Sequence, residues 1–592
     1  MLAKGTTVAR FGPIEKPRHV SAAANLWDYE AMCRCFSWDR LRAQLFDRND
    51  GKMNMAMLAI DRHAMLTPNK PALRFVDAQS ESIELTYDAL CRSANRFANL
   101  MRQLHIEPGS VVAALLGRCP ALHVTVLGTL KCGAVFTPLF SAFGPEPIRS
   151  RLEIAGARVL VTTQNLYERK VAPIRSSLPS LQHVFLVRDE PQGAPPLGTH
   201  DLAQALDGLT DTFETVPLAP DAAALLHFTS GTTGKPKGVV HVHDAVVAHH
   251  VTARLALDLK PDDVYWCTAD PGWVTGISYG VIAPLSCGVT SLIDREELDV
   301  ERWYGLLAQN AVNVWYTAPT AIRMLMKAGL EPARQHQYPA LRLIASVGEP
   351  LNPEAVMWGM QCFGLPVHDT WWQTETGAIM IANFLSQAVI PGAMGRVMPG
   401  IHAEIARRRD DGAVEILGPN ETGEIVLRPG WPSMFSGYLN NEQRYRDSFA
   451  GGWYFSGDQA YRDAQGYFWF VGRGDDIIKS SGHLISPFEV ECALNSHPAV
   501  MQSAVIGLPD PVAGQIVHAV IELKAGHATD DELRRSIIGH GRRLLGAAIA
   551  PRGIDFVGSL PRTRSGKIMR RLLRARALGL PEGDLSTLEP SP

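Results

Sequence analysis

From about Thr86 onward, short runs of aliphatic and β-branched residues alternate with longer stretches whose apolar positions recur at helical spacing. Residues 111–116, 158–162, 183–187, 312–316 and 341–345 are mostly apolar, the pattern of strands buried on both faces. Between them, residues 121–131 and 353–363 have helix length, and the second carries a start signal, with Asn352 as the cap and Pro353 at the first helical position. This alternation predicts an α/β fold with a mostly parallel sheet. Residues 189–221, dense in Pro, Gly and Thr, read as a surface excursion between two such units.

After about Ile401 the pattern changes to closely spaced strands separated by turn signals, at 413–417, 423–427 and 467–471, which predicts an antiparallel or barrel-like sheet. A second transition falls at Arg473-Gly474-Asp475-Asp476. Beyond it a small α+β pattern follows: a helix at 487–496, strands at 503–506 and 517–523, and a helix at 530–545. The expected organisation is therefore a large N-terminal domain, 1–474, of two α/β subdomains plus a β-barrel-like part, and a small α+β C-terminal domain, 475–592. A chain of 592 residues is too long for one core, which agrees with that division.

Composition narrows the function classes. With 46% hydrophobic and 20% charged residues and a net charge of −3, nothing draws the chain to nucleic acid or an anionic membrane surface. Nine cysteines, scattered and without a CxxC pair, fit a reducing compartment. Residues 1–20 lack the apolar stretch of a signal peptide, and no run reaches the roughly eighteen apolar residues of a membrane span. The expected location is the cytoplasm.

The strongest chemical signal lies between two apolar runs: Thr229-Ser230-Gly231-Thr232-Thr233-Gly234-Lys235-Pro236-Lys237-Gly238. Glycines let backbone approach an anion, hydroxyls add neutral donors, and Lys235 and Lys237 supply charge that no nearby acid cancels. This is not a Walker loop, because Thr229 stands where the first Gly should be and Pro236 where Ser or Thr should follow the Lys. A second segment, His368-Asp369-Thr370-Trp371-Trp372-Gln373-Thr374-Glu375-Thr376-Gly377, sits after a predicted strand, where ligands collect in open α/β sheets. Ser346-Val347-Gly348-Glu349-Pro350 also follows a strand. Asp458 and Arg473 are of the types that hold ribose hydroxyls and phosphate, and Ser565-Gly566-Lys567 adds a basic loop near the C-terminus.

In this order, these segments resemble the adenylate-forming superfamily and, within it, the acetyl-CoA synthetases and their acyl-CoA synthetase relatives. The likeness runs from Asn25-Leu26-Trp27-Asp28-Tyr29 and Gly51-Lys52-Met53-Asn54-Met55 to the lysine segment. It implies ATP, Mg²⁺ and coenzyme A as cofactors, and an acyl-adenylate made by attack of a carboxylate on the α-phosphorus. The resemblance assigns Thr229, Ser230, Gly231, Thr232, Thr233, Gly234, Lys235 and Lys237 to the phosphates and Glu375 to the metal. Gly348, Glu349, Pro350, Asp369, Thr370, Trp371, Trp372, Gln373 and Thr374 fall to adenine and α-phosphate, Asp458 and Arg473 to ribose, and Lys567 bridges carboxylate and phosphate. It further implies a mobile C-terminal domain with Asp475 at its hinge, Ser481 and Gly482 along the pantetheine path, and Arg542 at the CoA 3′-phosphate. Asn495, His497 and Val500 would form a second cation site.

By the same resemblance, Trp372 closes the acyl pocket with Val274, Thr275 and Val347. That leaves room for acetate first and propionate second, since each methylene shifts discrimination by roughly 1–3 kcal/mol. One departure stands out: the family commonly has Arg where this chain has Leu484, which opens the alternatives of a longer-chain or aromatic acid, or a catalytically impaired relative. The implied partners are small molecules, with a lysine acetyltransferase and deacetylase acting on Lys567, in a monomer or homo-oligomer.

Overall fold

The computed structural model describes residues 11–46, 50–188, 193–229, 236–480, 483–547, 549–563, 567–582, 585 and 588. Among them the strands form four sheets, of nine, eight, six and five strands.

The nine-stranded sheet has a parallel centre, Val367–Trp371, Leu343–Ser346, Val314–Thr317, Val264–Cys267, Thr290–Asp294 and Pro71–Val76 in spatial order. Most of these positions are buried, as expected of strands covered on both faces. Short antiparallel strands, Ile381–Ala382 and Arg396–Val397 at one edge and Ser82–Thr86 at the other, finish it. The eight-stranded sheet has Ala223–Thr229, Val135–Pro138, Val111–Leu115, Val159–Thr163 and His183–Val187 in parallel, again closed by antiparallel strands, Lys237–Val242 and Gly437–Tyr438.

One continuous core spans both sheets: it includes Phe136, Tyr279, Ile282 and Tyr316 together with Phe97 and Leu127 of the helices Tyr87–Gln103 and Pro120–Lys131. Each such side chain contributes roughly 1.5–3 kcal/mol by leaving water. The two helices touch at Gly128, where a Cβ would come within 2.8 Å of the Ala94 oxygen and of Phe97. Burial on nearly every face explains why these helices read as apolar rather than amphipathic in the case of Pro120–Lys131.

The six-stranded antiparallel sheet includes Ala403–Arg408, Gly423–Leu427, Trp453–Arg462 and Phe468–Arg473. Sheet membership changes across the turn at 474–477, where the amides of Asp476 and Ile477 both donate to the Arg473 carbonyl. Thereafter Ile478–Ser480, His483–Ile485, Val500–Asp510, Gly514–Leu523 and Gly553–Val557 make the five-stranded sheet, packed on the helices Pro487–Asn495 and Asp531–Leu545.

Two expectations need correction. Asn352 precedes its helix without capping it: its amide nitrogen donates to Glu354 and its oxygen is buried without a partner among the described residues. The segment 189–221 is not only surface, since it contains the strand His200–Asp201 and the helix Leu202–Leu206, with Asp201, Leu202 and Thr215 buried.

Candidate active site

The carboxyl ends of the strands in both large sheets, the rim of the six-stranded sheet and one face of the C-terminal sheet enclose a cleft of about 1350 Å³. It brings together Thr229, Lys237, Val274, Thr275, Val347, Gly348, Glu349, Pro350, Asp369, Thr370, Trp371, Trp372, Gln373, Thr374, Glu375, Asp458, Arg473, Asp475, Asn495 and Lys567. Residues Ser230, Gly231, Thr232, Thr233, Gly234 and Lys235, and Ser481 and Gly482, lie outside the described residues.

Thr229 and Lys237 face each other across the antiparallel pair Ala223–Thr229 and Lys237–Val242, so a ladder fixes both ends of the segment that joins them. The Lys237 ammonium lies 6.0 Å above the Tyr438 ring, and partial burial, followed by the Arg444 charge, lowers its pKa. The Tyr438 hydroxyl donates to Glu375 Oε1 at 2.8 Å, so the edge strand Gly437–Tyr438 aims the carboxylate. Glu375 also raises the Lys237 pKa in part, which marks the two as neighbours. One carboxylate beside Lys237 is compatible with Mg²⁺, which commonly takes a single protein oxygen and completes its shell with substrate phosphates and water. Among the described residues no group of three or more His, Cys, Asp or Glu could hold a metal without such a substrate.

At the acyl end, Trp372 follows the strand Val367–Trp371. Its indole Nε1 donates to the Tyr316 hydroxyl at 3.2 Å, which is 2.8 Å from Thr370 Oγ1, and its ring packs edge-on against Tyr279 at 5.1 Å. Tyr316 and Tyr279 are fully buried, so swinging the indole away would cost the Tyr316 oxygen one of its two hydrogen bonds and break the edge-on contact with Tyr279. Val274 and Thr275 open the helix Val274–Ile277 on the opposite side.

The Asp458 end of the cleft is equally prearranged. Asp458 Oδ2 accepts from Trp371 Nε1 at 3.0 Å and Gln373 Nε2 at 2.7 Å, and Arg473 approaches Oδ1 at 3.2 Å. Oδ1 makes no hydrogen bond among the described residues, which leaves an acceptor for a ribose hydroxyl. The Asp458 charge holds the Arg473 pKa up. Trp371 thus acts through Asp458. Tyr454 donates to Gln373 Oε1 at 2.9 Å and completes the set.

Asp369 is buried at the carboxyl end of its strand. Burial pushes its pKa up to about 7, against a hydrogen bond from Ser346 Oγ at 3.1 Å. Gly348 has φ +92° with open space where a Cβ would stand, a conformation that brings bare backbone to the cleft. The Glu349 carboxylate is committed elsewhere, to Arg323 and to Thr320 Oγ1.

From the C-terminal side, Lys567 is exposed and closes a loop in which its carbonyl accepts from the Thr563 amide at 2.7 Å and its amide donates to Thr563 Oγ1 at 3.1 Å. It also borders a pocket of about 160 Å³ with Trp273, Ala318, Val347, Gly348 and Glu349. Crowding by the cleft walls, then the Arg473 charge, lowers its pKa. Three residues on, Arg570 makes a buried ion pair with Glu491, with both Nη2 to carboxylate oxygen distances at 2.7 Å.

Other expected residues stand apart. Arg542 is on the exposed last turn of Asp531–Leu545, outside the cleft. Asn495 Oδ1 accepts from Ser503, and the His497 ring is engaged by Ser536 Oγ and the Ala499 amide, so a cation near Val500 would rest on backbone oxygens. Tyr316, Tyr438, Tyr454 and Arg323 were missed by sequence reasoning. No local signal could have found them, because their partners are 26 to 81 residues away.

Residues 60–439 match the AMP-binding enzyme family and residues 489–567 match the AMP-binding enzyme C-terminal domain. The chain belongs to the AMP-binding enzyme family. Within that family, the chain is 44% identical to an acetyl-coenzyme A synthetase of Bacillus subtilis (strain 168), over 95% of this chain and 98% of that protein. It is 38% identical to an acetyl-coenzyme A synthetase of Methanothrix thermoacetophila, over 97% of this chain and 92% of that protein. Among solved AMP-binding structures, a Brucella canis acyl-CoA synthetase superposes with a TM-score of 0.73 at 34% identity, covering 93% of this chain and 99% of that one. An anthranilate CoA ligase in complex with anthranoyl-AMP gives 0.81 at 27% identity, over 90% and 99%. Among the described residues no helix is long and apolar enough to cross a membrane.

Proposed function

We propose that the protein activates acetate with ATP, through acetyl-adenylate, and passes the acetyl group to coenzyme A with release of AMP and pyrophosphate: an AMP-forming acetate–CoA ligase. Propionate is the poorer substrate. The observation that carries this reading is the fixed indole of Trp372, held by Tyr316 and Tyr279 across the acyl end of the cleft. Several relatives named acetyl-coenzyme A synthetase support it.

In this reading Lys567 positions the acetate carboxylate against the α-phosphate by charge, Thr229 and Lys237 with the intervening loop hold the triphosphate, and Asp458 with Arg473 holds the ribose. Glu375 would hold Mg²⁺, which neutralises phosphate charge when bound. The backbone at Gly348 and the carboxyl ends of the neighbouring strands would frame the adenine. After adenylation the C-terminal domain, 475–592, would turn about Asp475, and Arg542 would then meet the CoA 3′-phosphate. Control of Lys567 by an acetyltransferase and deacetylase belongs to the same reading, and the cytoplasm is the proposed location.

The test is a substrate panel with ATP and CoA in excess, measuring pyrophosphate release with acetate, propionate, butyrate and benzoate. Acetate should give the highest kcat/KM. A higher value for butyrate or benzoate would end this reading.

A further inference from the structure

A buried histidine cluster underlies the loop that carries Glu375. His227 and His241 stand on the paired strands Ala223–Thr229 and Lys237–Val242 with ring centroids 6.0 Å apart, and His249 lies on the following helix, Ala245–Leu255. All three are at most 2% exposed, and none lines the cleft. His241 Nε2 lies 2.7 Å from the Thr374 carbonyl oxygen and His249 Nε2 lies 2.9 Å from the Gly377 carbonyl oxygen. A carbonyl can only accept, so each ring donates from Nε2.

The carbonyls between these two are satisfied from below as well. Glu375 O accepts from the Phe435 amide at 3.0 Å, and Thr376 O accepts from Trp431 Nε1 at 2.9 Å and Ser433 Oγ at 2.7 Å. The four consecutive carbonyls 374–377 are thus each tied to a buried donor, with a histidine at either end. Contact is close: Gly377 has φ +70°, and a Cβ there would meet His241 Cε1 at 2.8 Å and Ser433 O at 2.4 Å.

Why histidine should fill these places follows from charge. Leucine would leave two buried carbonyls unpaired, and lysine or arginine would put a fixed cation under a carboxylate meant for a metal. A neutral imidazole supplies the donor alone. Burial keeps both rings neutral, pushing His241 down to about 4 and His249 to about 3.

We infer that His241 and His249 are positioning residues that fix the 374–377 backbone so that the Glu375 carboxylate meets Mg²⁺ carried with the triphosphate. The inference rests on Glu375 being the metal-side carboxylate. His227 is the internal control: it adjoins His241, yet neither of its ring nitrogens has a hydrogen bond among the described residues.

Calorimetric titration of ATP into the full-length protein, with Mg²⁺ and separately with EDTA, tests this. His241→Asn and His249→Asn, whose amide nitrogen falls short of the Nε2 position, should raise the Mg²⁺ needed for half-maximal ATP affinity about tenfold, the effect usual for groups that orient metal ligands. ATP affinity in EDTA, and thioester formation from supplied acetyl-AMP and CoA, should be unchanged. Glutamine at either position reaches the carbonyl and should restore the Mg²⁺ requirement, and His227→Phe should never alter it. Asn variants with wild-type Mg²⁺ dependence, or Gln variants no better than Asn, overturn the inference. If a His241 variant does not fold, the His249 pair decides in the same way. Glu375→Gln separates the two ideas. If it keeps its Mg²⁺ response, the metal reading of Glu375 falls, whereas a lost response beside intact His241→Asn and His249→Asn responses overturns only the histidine inference.

Discussion

On the side of the cleft built before the turn at 474–477, the side chains that would meet substrate are tied down: Trp372 to Tyr316, Asp458 to Trp371 and Gln373, Glu375 to Tyr438. On the side built after it, Lys567 is exposed on a loop closed by Thr563, while the residue with the firm buried partner is Arg570, three positions away. Recognition calls for fixed geometry, because a misplaced wall admits the wrong acid. A charge that follows a migrating carboxylate and then withdraws needs the opposite. On the proposed reading, the difference would divide selectivity from the chemical step along the chain itself.

The sharpest way to break that division is Lys567→Gln. Loss of one preorganised charge at the reacting centre costs about a hundred- to thousand-fold in adenylation, read as acetate-dependent pyrophosphate exchange. Thioester formation from supplied acetyl-AMP should persist, and an equal fall in both half-reactions would refute the division. Next in size, Trp372→Gly should move the ratio of kcat/KM for butyrate over acetate upward by about 10- to 200-fold, the range for methylenes in an apolar pocket. An unchanged ratio would place selectivity elsewhere.

Asp369 gives a smaller effect on the fixed side. Its pKa is raised from 3.8 to about 7 by burial, so the folded state holds the proton more tightly than the unfolded chain. Its contribution to stability is complete below about pH 4 and is lost as pH rises toward 7, at roughly 1 kcal/mol per pH unit. Denaturant titrations of Asp369→Asn over that range should lack this slope. Smallest is Arg542→Ala, on the side built after the turn at 474–477: an exposed charge is worth about 0.2–1 kcal/mol, so on the proposed reading KM for CoA should rise less than about fivefold and KM for dephospho-CoA should not change.

Much of the scaffold was legible because its signals are local. The helix Pro353–Phe363 and the strands His183–Val187 and Gly423–Leu427 fall within the expected bounds. The first is bounded by Pro353 at its start and by the left-handed Gly364 at its end. The two-residue strands Ile381–Ala382 and Arg396–Val397 were not legible, because they are too short to show alternation and exist only by pairing with a sheet already formed. At the site, residue types pointed to Thr229, Lys237 and Asp458, and the structure brings all three to one cleft. The supports were silent, since neither Tyr316 nor Tyr438 carries a mark of the indole or carboxylate that it holds.

The order of strands also bears on how the chain is made. Pro71–Val76 pairs with Thr290–Asp294 in one sheet, and Lys237–Val242 waits for Gly437–Tyr438 in the other, so each layer encloses sequence belonging to its neighbour. As the polypeptide leaves the ribosome, the strand pair that ends on Thr229 and Lys237 lacks its outer edge until some two hundred further residues have been synthesised. Nascent chains halted short of Gly437 should expose that edge, making them natural clients for chaperones.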